Sequence, residues 1–208
     1  MTSPSERHSL VGPARLWEVR RAFQIRFLQS ISLAPDQYLL DLGCGTLRGG
    51  IPIIKYLKPS HYYGIECHEH VLREGRQELI DAGLQDRLPQ LIHINNFRGL
   101  DLGRHFEIIW AFSVLIHMTD EILAEALAFV KLHLSPDGSF YANVNIGQQQ
   151  DGIWQGFPVV WRPLNFYERV CLKEGLSLKV MGPLRDFGHV SEVVASDAQQ
   201  MLRIRQIQ

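Results

Sequence analysis

Leu39-Leu40-Asp41-Leu42-Gly43-Cys44-Gly45-Thr46 is the stretch that decides how this chain folds. An apolar run from Tyr38 to Leu42 leads straight into two glycines. Helical spacing then resumes over Leu47 to Leu57, with Pro52 in its first turns. A strand that reads as one continuous apolar run is buried on both faces. Glycine permits the tight turn after the strand and lets a ligand approach the backbone. The helix start beyond it presents N–H groups that lack intrahelical partners. By itself a Gly-x-Gly turn after a strand is weak evidence for a dinucleotide site.

Two neighbours of the loop narrow the ligand class. A pyrophosphate-binding loop has a third small residue where Arg48 stands here. Asp41, two residues before the first glycine, would repel a pyrophosphate but attract an ammonium or sulfonium. The loop therefore suits a cationic nucleoside without phosphate. A second apolar run, Tyr62-Tyr63-Gly64-Ile65, ends in Glu66, 21 residues after Gly45. A carboxylate there can accept from both hydroxyls of a ribose.

Beyond this loop, strands and helices alternate. Strands are expected at His61–Ile65, Leu91–Ile94, Glu107–Ala111 and Ser139–Val144. Helices are expected at Glu69–Asp81 and at Glu121–Leu132 with Asp120 as N-cap, and a turn at Ser135–Gly138. This alternation predicts an α/β fold, a Rossmann-like three-layer sandwich with helices on both faces of a mostly parallel sheet. Further on come a helix over Leu164–Glu174, closed by Gly175, and strands at Leu176–Met181 and Met201–Arg205. Their short connection favours a final antiparallel pair, completing a seven-stranded sheet. A last strand at Ser191–Ala195 ranks second.

Upstream of the alternation, residues 1–13 read as a loose leader. Ala14–Ser30 reads as a helix with Leu16, Val19, Phe23, Phe27 and Leu28 on its apolar face. The first 35 residues carry Arg7, Arg15, Arg20, Arg21 and Arg26 against Glu6 and Glu18, a balance of +3. A packing helix with a solvated basic face is the first reading, and a basic lid over an anionic ligand the second. The chain thus divides into a leader and lid helix, 1–35, and a binding domain, 36–208.

With 208 residues the chain is long enough for one domain with a sizeable core. Lys and Arg total 21 and Asp and Glu 22, a net charge of −1 that argues against wrapping DNA or coating an anionic membrane. Cys44, Cys67 and Cys171 are odd in number and show no CxxC spacing, which fits a reducing, cytoplasmic compartment. The N-terminus lacks a signal-peptide pattern, and the longest apolar stretch, Ile108–Met118, is too short for a bilayer.

At this point the chain resembles the class I S-adenosylmethionine-dependent methyltransferases, over about residues 36–206. Leu39–Thr46 matches the family's first motif and Glu66 its second. Phe106-Glu107 with Val114-Leu115-Ile116-His117 matches the fourth-strand block, and Leu134–Phe140 the fifth. The resemblance implies S-adenosylmethionine as cofactor. It places Asp41, Gly43, Cys44 and Gly45 at the methionine end, with Arg48 available to the carboxylate. Glu66 would hold the ribose, and Cys67 would lie against adenine. Asn96 stands where the family has an Asp that accepts from the adenine amino group, and an Asn carbonyl can accept the same bond. Phe97 would offer a backbone N–H to the ring, and Ala111 and Phe112 would meet the sulfonium end.

Methyl transfer needs alignment, and a base when the nucleophile starts as a hydroxyl or protonated amine. His117 is the candidate base, against the alternative that it only supports its loop. After the fourth strand the chain lacks the Asn/Asp-Pro-Pro-Tyr of amide and adenine methylases, and no metal-ligand spacing stands out. His68 and His70 read as surface residues. Tyr141, Asn143 and Asn145 alternate on one face of the fifth strand and are the substrate candidates with Trp154. Phe157 and Trp161 read first as satellite core. The expectation is a monomer or homodimer methylating O or N of a small molecule, without DNA or membrane partner. A protein or RNA methyltransferase, or a non-catalytic scaffold, ranks behind it.

Overall fold

The structure is a computed structural model and describes residues 3–207; residues 1, 2 and 208, at the two ends of the expected leader and binding domain, lie outside the described residues. Its centre is a seven-stranded sheet. The strands are β1 (Leu39–Leu42), β2 (Tyr62–Glu66), β3 (Gln90–His93), β4 (Phe106–Ala111), β5 (Leu134–Val144), β8 (Leu176–Pro183) and β9 (Gln200–Gln206). A separate hairpin, β6 (Gly152–Trp154) and β7 (Phe157–Val159), comes after β5. The sheet order is β3-β2-β1-β4-β5-β9-β8. The first five strands are parallel, and β9 is antiparallel to both neighbours. The expected doubly covered sheet with its final antiparallel pair is therefore present. The segment around Ser191–Ala195 is not a strand; it leads into a short helix, α7 (Val194–Asp197).

The remaining helices are α1 (Pro4–Ser9), α2 (Trp17–Ser30), α3 (Gly50–Tyr56), α4 (Glu69–Asp81), α5 (Asp120–His133) and α6 (Leu164–Lys173). Leu123, Leu127 and Val130 of α5 and Tyr167 and Cys171 of α6 pack on one sheet face. Phe23, Phe27 and Leu28 of α2, Ile53 and Ile54 of α3 and Leu72 and Leu79 of α4 pack on the other. Strand order reverses between β1 and β4, so their carboxyl ends diverge and leave a crevice where ligands bind in such sheets.

Three local expectations change. The helix after the glycine loop starts at Gly50, not Leu47, because Leu47 has a φ of 60° and adds a turn first. The α5 N-cap is Thr119, whose hydroxyl accepts from the Ile122 N–H at 3.5 Å, not Asp120. Residues 4–9 are a helix rather than a loose leader: Ser3 and Glu6 form a reciprocal capping box, and Arg7 is buried.

Helix α2 packs on the sheet through its apolar face, but its basic side is not wholly solvated, since the Arg20 Nε is buried. Gln24 Oε1 accepts from the Trp110 indole N–H of β4 at 3.0 Å. Phe27, 1% exposed, contacts the rings of Trp110, Tyr141 and Phe187 at 5.3–5.8 Å between centroids. Phe27→Ala is expected to destabilise the protein by about 3–5 kcal/mol in urea unfolding, since the aromatic cage around it cannot collapse into the void. A loss below about 1 kcal/mol would mean that α2 is only appended to the sheet.

Candidate functional site

One cavity of about 830 Å³ opens at the carboxyl ends of β1, β4 and β5, beside the strand-order reversal. Its first wall is the glycine loop. Gly43 and Gly45 have φ of 75° and 57°, which glycine alone adopts without strain. Space matters as well: a side chain at Gly43 would begin 2.6 Å from Val114, and one at Gly45 would begin 2.8 Å from Val11. Here the close approach to the loop is made partly by the protein itself.

Glu66 ends β2 under this loop. Its carboxylate accepts from the Gly45 N–H at 3.0 Å and from the His68 N–H at 3.0 Å, so it fixes the loop and the start of α4 together. Glu66, Cys67 and His68 bring potential ligand atoms within 4.8 Å, and each Glu66 oxygen already accepts one backbone N–H while keeping a further lone pair. Asp41 accepts from the Tyr62 hydroxyl at 2.6 Å. Burial is the main cause that pushes the Asp41 carboxyl up to about 7, with Glu66 adding to it and Tyr62 opposing it. Cys44 packs its thiol against Gly64.

Arg48 is 8% exposed, not a surface residue. It donates to the Val11 carbonyl at 2.6 Å, while its Nε and that of Arg20 are buried without partners. Burial, with Arg20 nearby, lowers the Arg48 guanidinium to about 9. Two guanidinium groups short of negative partners at a cavity wall are suited to an anion. Arg20 and Gln24 of α2, and Leu10, Val11, Pro13 and Leu16 ahead of it, complete this side. Sequence reasoning missed the contribution of residues 10–13; the +3 balance of the first 35 residues was its only signal.

Helix α1 ties that segment down. Arg7 lies 3.4 Å from Glu74, 3.1 Å from Glu78 and 2.7 Å from Asp81, all on α4, and His8 stacks on Trp17. The chain between these anchors crosses the mouth of the glycine loop as a strap.

The opposite wall is apolar. The β6–β7 hairpin turns its paired Trp154 and Phe157 inward over His117. Phe157 also reaches the His68 ring edge-on at 5.3 Å. The Val160 N–H donates to the Ile116 carbonyl, and the Asn145 side-chain amide donates to the Val160 carbonyl at 3.0 Å, which pins the hairpin to the sheet. His117 Nδ1 lies 2.7 Å from the Pro158 carbonyl. A carbonyl can only accept, so Nδ1 carries the proton and Nε2 keeps its lone pair. Burial lowers the His117 pKa below its ordinary value, opposed by that hydrogen bond.

The cavity gathers Asp41, Gly43, Cys44, Gly45, Arg48, Glu66, Cys67, Phe112, His117, Asn145 and Trp154 from the expected residues. Phe157, Trp161 and His68 also line it, against their reading as satellite core or surface. Other expected residues lie elsewhere. Asn96 is exposed, and its Oδ1 accepts from the Arg98 N–H in its own turn. Phe97 packs into the core against Phe129, and Ala111 is buried within the sheet. Tyr141 faces α2 rather than the cavity. Asn143 is buried as a brace: its Oδ1 accepts from the Ser113 N–H and its amide donates to Gln199. Tyr141 and Asn143 share a face with Asn145, as the alternation requires, but only Asn145 stands far enough along to clear the sheet. Ser196 and Gln199, near the C-terminus, also line the cavity and carried no sequence signal.

The arrangement is matched by known proteins. A family model described as a methyltransferase domain matches residues 40–140. The chain is 28% identical over 101 residues to (+)-O-methylkolavelool synthase of Herpetosiphon aurantiacus, covering 46% of this chain but only 33% of that protein. It is 26% identical over 168 residues to the N-terminal Xaa-Pro-Lys N-methyltransferase 1 of Bos taurus, covering 76% and 70%. Magnesium protoporphyrin IX methyltransferase from Synechocystis PCC 6803, solved with bound S-adenosylmethionine, superposes with a TM-score of 0.68 at 12% identity, covering 99% and 86%. Among the described residues no helix is long and apolar enough to cross a membrane.

Proposed function

The chain belongs to the class I S-adenosylmethionine-dependent methyltransferases, and from that premise we propose that it methylates an oxygen or nitrogen atom of a small molecule. The observation that carries this reading is the division of one cavity into a charged, glycine-built end and an apolar end with a neutral imidazole.

The residues at the charged end fit the methyl donor. S-adenosylmethionine combines a carboxylate, an ammonium, a sulfonium and a ribose diol, and no phosphate. The partnerless Nε groups of Arg48 and Arg20 suit the carboxylate, Asp41 suits the cationic groups and Glu66 the diol. When bound, the donor supplies a methyl carbon activated by positive sulfur. The chain's task is then to orient the acceptor, exclude water and remove a proton. Trp154, Phe157 and the hairpin cover the acceptor end, Asn145 holds that cover in place, and His117 Nε2 receives the proton. The names of the two curated relatives point to different acceptors, an oxygen in one and the nitrogen of an N-terminal Xaa-Pro-Lys in the other, so support for a small acceptor comes from the apolar lining of the cavity's far end.

Calorimetric titration with S-adenosylmethionine, with NAD as control, tests the donor. Micromolar binding of the first and none of the second is expected. Incubation with labelled donor and a fractionated cell extract tests the acceptor: label should enter the low-mass fraction. Label confined to protein or RNA would overturn the small-molecule reading.

Donor affinity should depend on pH through Asp41. Its carboxyl ionises near 7 in the folded protein, against an ordinary 3.8, and only the carboxylate attracts the donor's cations. Affinity is expected to rise up to about tenfold per pH unit below 7 and to level above it, with proton release on binding; Asp41→Asn should flatten the profile. The stability of the free protein runs the other way. The contribution of protonated Asp41 is complete below about pH 3.8 and is lost as pH rises to about 7, on the order of 4 kcal/mol in all. Donor affinity that is flat between pH 5 and 8 would remove Asp41 from the binding of charge.

The strap governs donor exchange in the same reading. Arg7→Ala removes its anchor on α4 without touching the sheet core. Donor dissociation, monitored by stopped-flow tryptophan fluorescence, is expected to accelerate by about tenfold, the factor for 1.4 kcal/mol. An unchanged rate would make the strap a passive wall.

A further inference from the structure

Charge is distributed unevenly around the cavity. Asp41, Glu66, Arg20 and Arg48 all gather about the glycine loop and the strap that crosses it. The other end is built from Ile116, Met118, Ile122, Trp154, Phe157 and Trp161, with His117, Thr119 and Asn145 as its polar groups; His68, 3.2 Å from Glu66 and edge-on to Phe157, marks the border with the charged end. Two acids stand close by in the chain, Asp120 and Asp151, and one cation holds both. Arg162 Nε lies 2.8 Å from Asp120, and Arg162 Nη1 lies 2.8 and 2.9 Å from the two Asp151 oxygens. Asp151 also accepts from the Trp161 N–H at 3.0 Å. Among the described wall residues beyond His68, which Glu66 engages, no acid remains at this end to meet an ammonium, and no Lys or Arg to meet a carboxylate.

An ion brought into such surroundings loses its hydration and gains no partner. Hydrocarbon brought there gains about 25 cal/mol for each Å² removed from water. The apolar character continues at the rim. Ile122 lines the cavity and is 44% exposed, so it carries the apolar lining out to solvent.

We infer that the acceptor is an uncharged alcohol or phenol carried on a largely hydrocarbon skeleton, with its hydroxyl against His117 and its skeleton between the hairpin and Ile122. This rests on the methyl-transfer reading above and narrows its substrate class. An aliphatic amine arrives protonated at neutral pH, without a lone pair for attack, and finds no carboxylate here. A hydroxyl arrives neutral and donates to Nε2. As the oxygen–methyl bond forms, the methyl–sulfur bond breaks and its electron pair stays on sulfur, which becomes a neutral thioether. The hydroxyl proton passes to His117 Nε2 and then to water, leaving a neutral ether.

The test uses three probes of one skeleton, farnesol, farnesylamine and farnesoic acid, titrated against the intact protein by quenching of tryptophan fluorescence. Farnesol is expected to bind at least about tenfold more tightly than the amine or the acid. Trp154→Ala should weaken farnesol by about tenfold. Ile122→Glu, at a half-exposed position that folding tolerates, should weaken farnesol and strengthen farnesylamine. Tighter binding of the amine or the acid, or no binding of any probe, overturns the inference. Calorimetry of S-adenosylmethionine on the same sample separates the two layers. If the donor binds while the amine is preferred, only the acceptor class falls; if the donor fails to bind, the methyl-transfer reading falls, while the probe titration still judges the cavity.

Discussion

Replacing Glu66 by alanine is expected to weaken S-adenosylmethionine binding by about 10²–10³-fold while the protein stays folded. The carboxylate accepts two backbone N–H groups, from Gly45 and His68, each at 3.0 Å. One of these belongs to the glycine loop and the other to the approach to α4, so a single side chain sets the distance between the two walls of the proposed ribose site. Alanine leaves both donors without an acceptor and removes the proposed partner of the diol. Two charge-assisted hydrogen bonds at about 1.5–2 kcal/mol each give the stated range. Glu66→Gln keeps one carbonyl oxygen but turns an NH₂ toward an N–H donor, so it should fall between alanine and the native protein. Calorimetric titration measures the loss, and circular dichroism confirms the fold. An affinity within about threefold of native for the alanine variant would take the ribose away from Glu66.

His117→Gln is expected to lower turnover by about 10²–10⁴-fold, the usual contribution of a positioned general base, with donor affinity nearly unchanged. The geometry makes this a test of chemistry more than of packing. The hydrogen bond to the Pro158 carbonyl determines which nitrogen carries the proton, and glutamine can keep such a donor while offering no comparable base. A base works only when unprotonated, and burial lowers the pKa of this imidazole. In the native enzyme the acid limb of the turnover profile should therefore lie below imidazole's ordinary 6.5, with full activity at neutral pH. In the glutamine variant that limb should vanish. If turnover falls while the limb persists at its native position, His117 supports the hairpin and another group takes the proton.

The contrast between these two residues shows what a sequence can carry. The position of Glu66 was legible because it depends on a spacing along the chain: one strand, one glycine turn and one crossover helix place an acid at the next strand end. The same logic gave the parallel part of the sheet, the antiparallel close and the positions of most helices, while the strand order came only from the structure. Local errors arose where one backbone angle decided the outcome. Leu47 enters the left-handed region and delays α3, and no residue pattern announces it.

Alternation along β5 determined that Tyr141, Asn143 and Asn145 share a face. Only the packing of α2 and the C-terminal loop decided that Tyr141 and Asn143 are covered and that Asn145 reaches the cavity. Arg48 has the composition of a surface residue, yet the strap buries it, because Val11 arrives from 37 residues upstream to accept its hydrogen bond. His117 could be named as a base, but its tautomer was set by Pro158, 41 residues downstream. By itself the sequence determined the features that periodicity and short-range stereochemistry impose: the strands, the glycine turn and the acids at strand ends. The tertiary structure alone decided which polar atoms lost water and which found a partner, because hydration and hydrogen bonding depend on segments that meet only when the chain is folded.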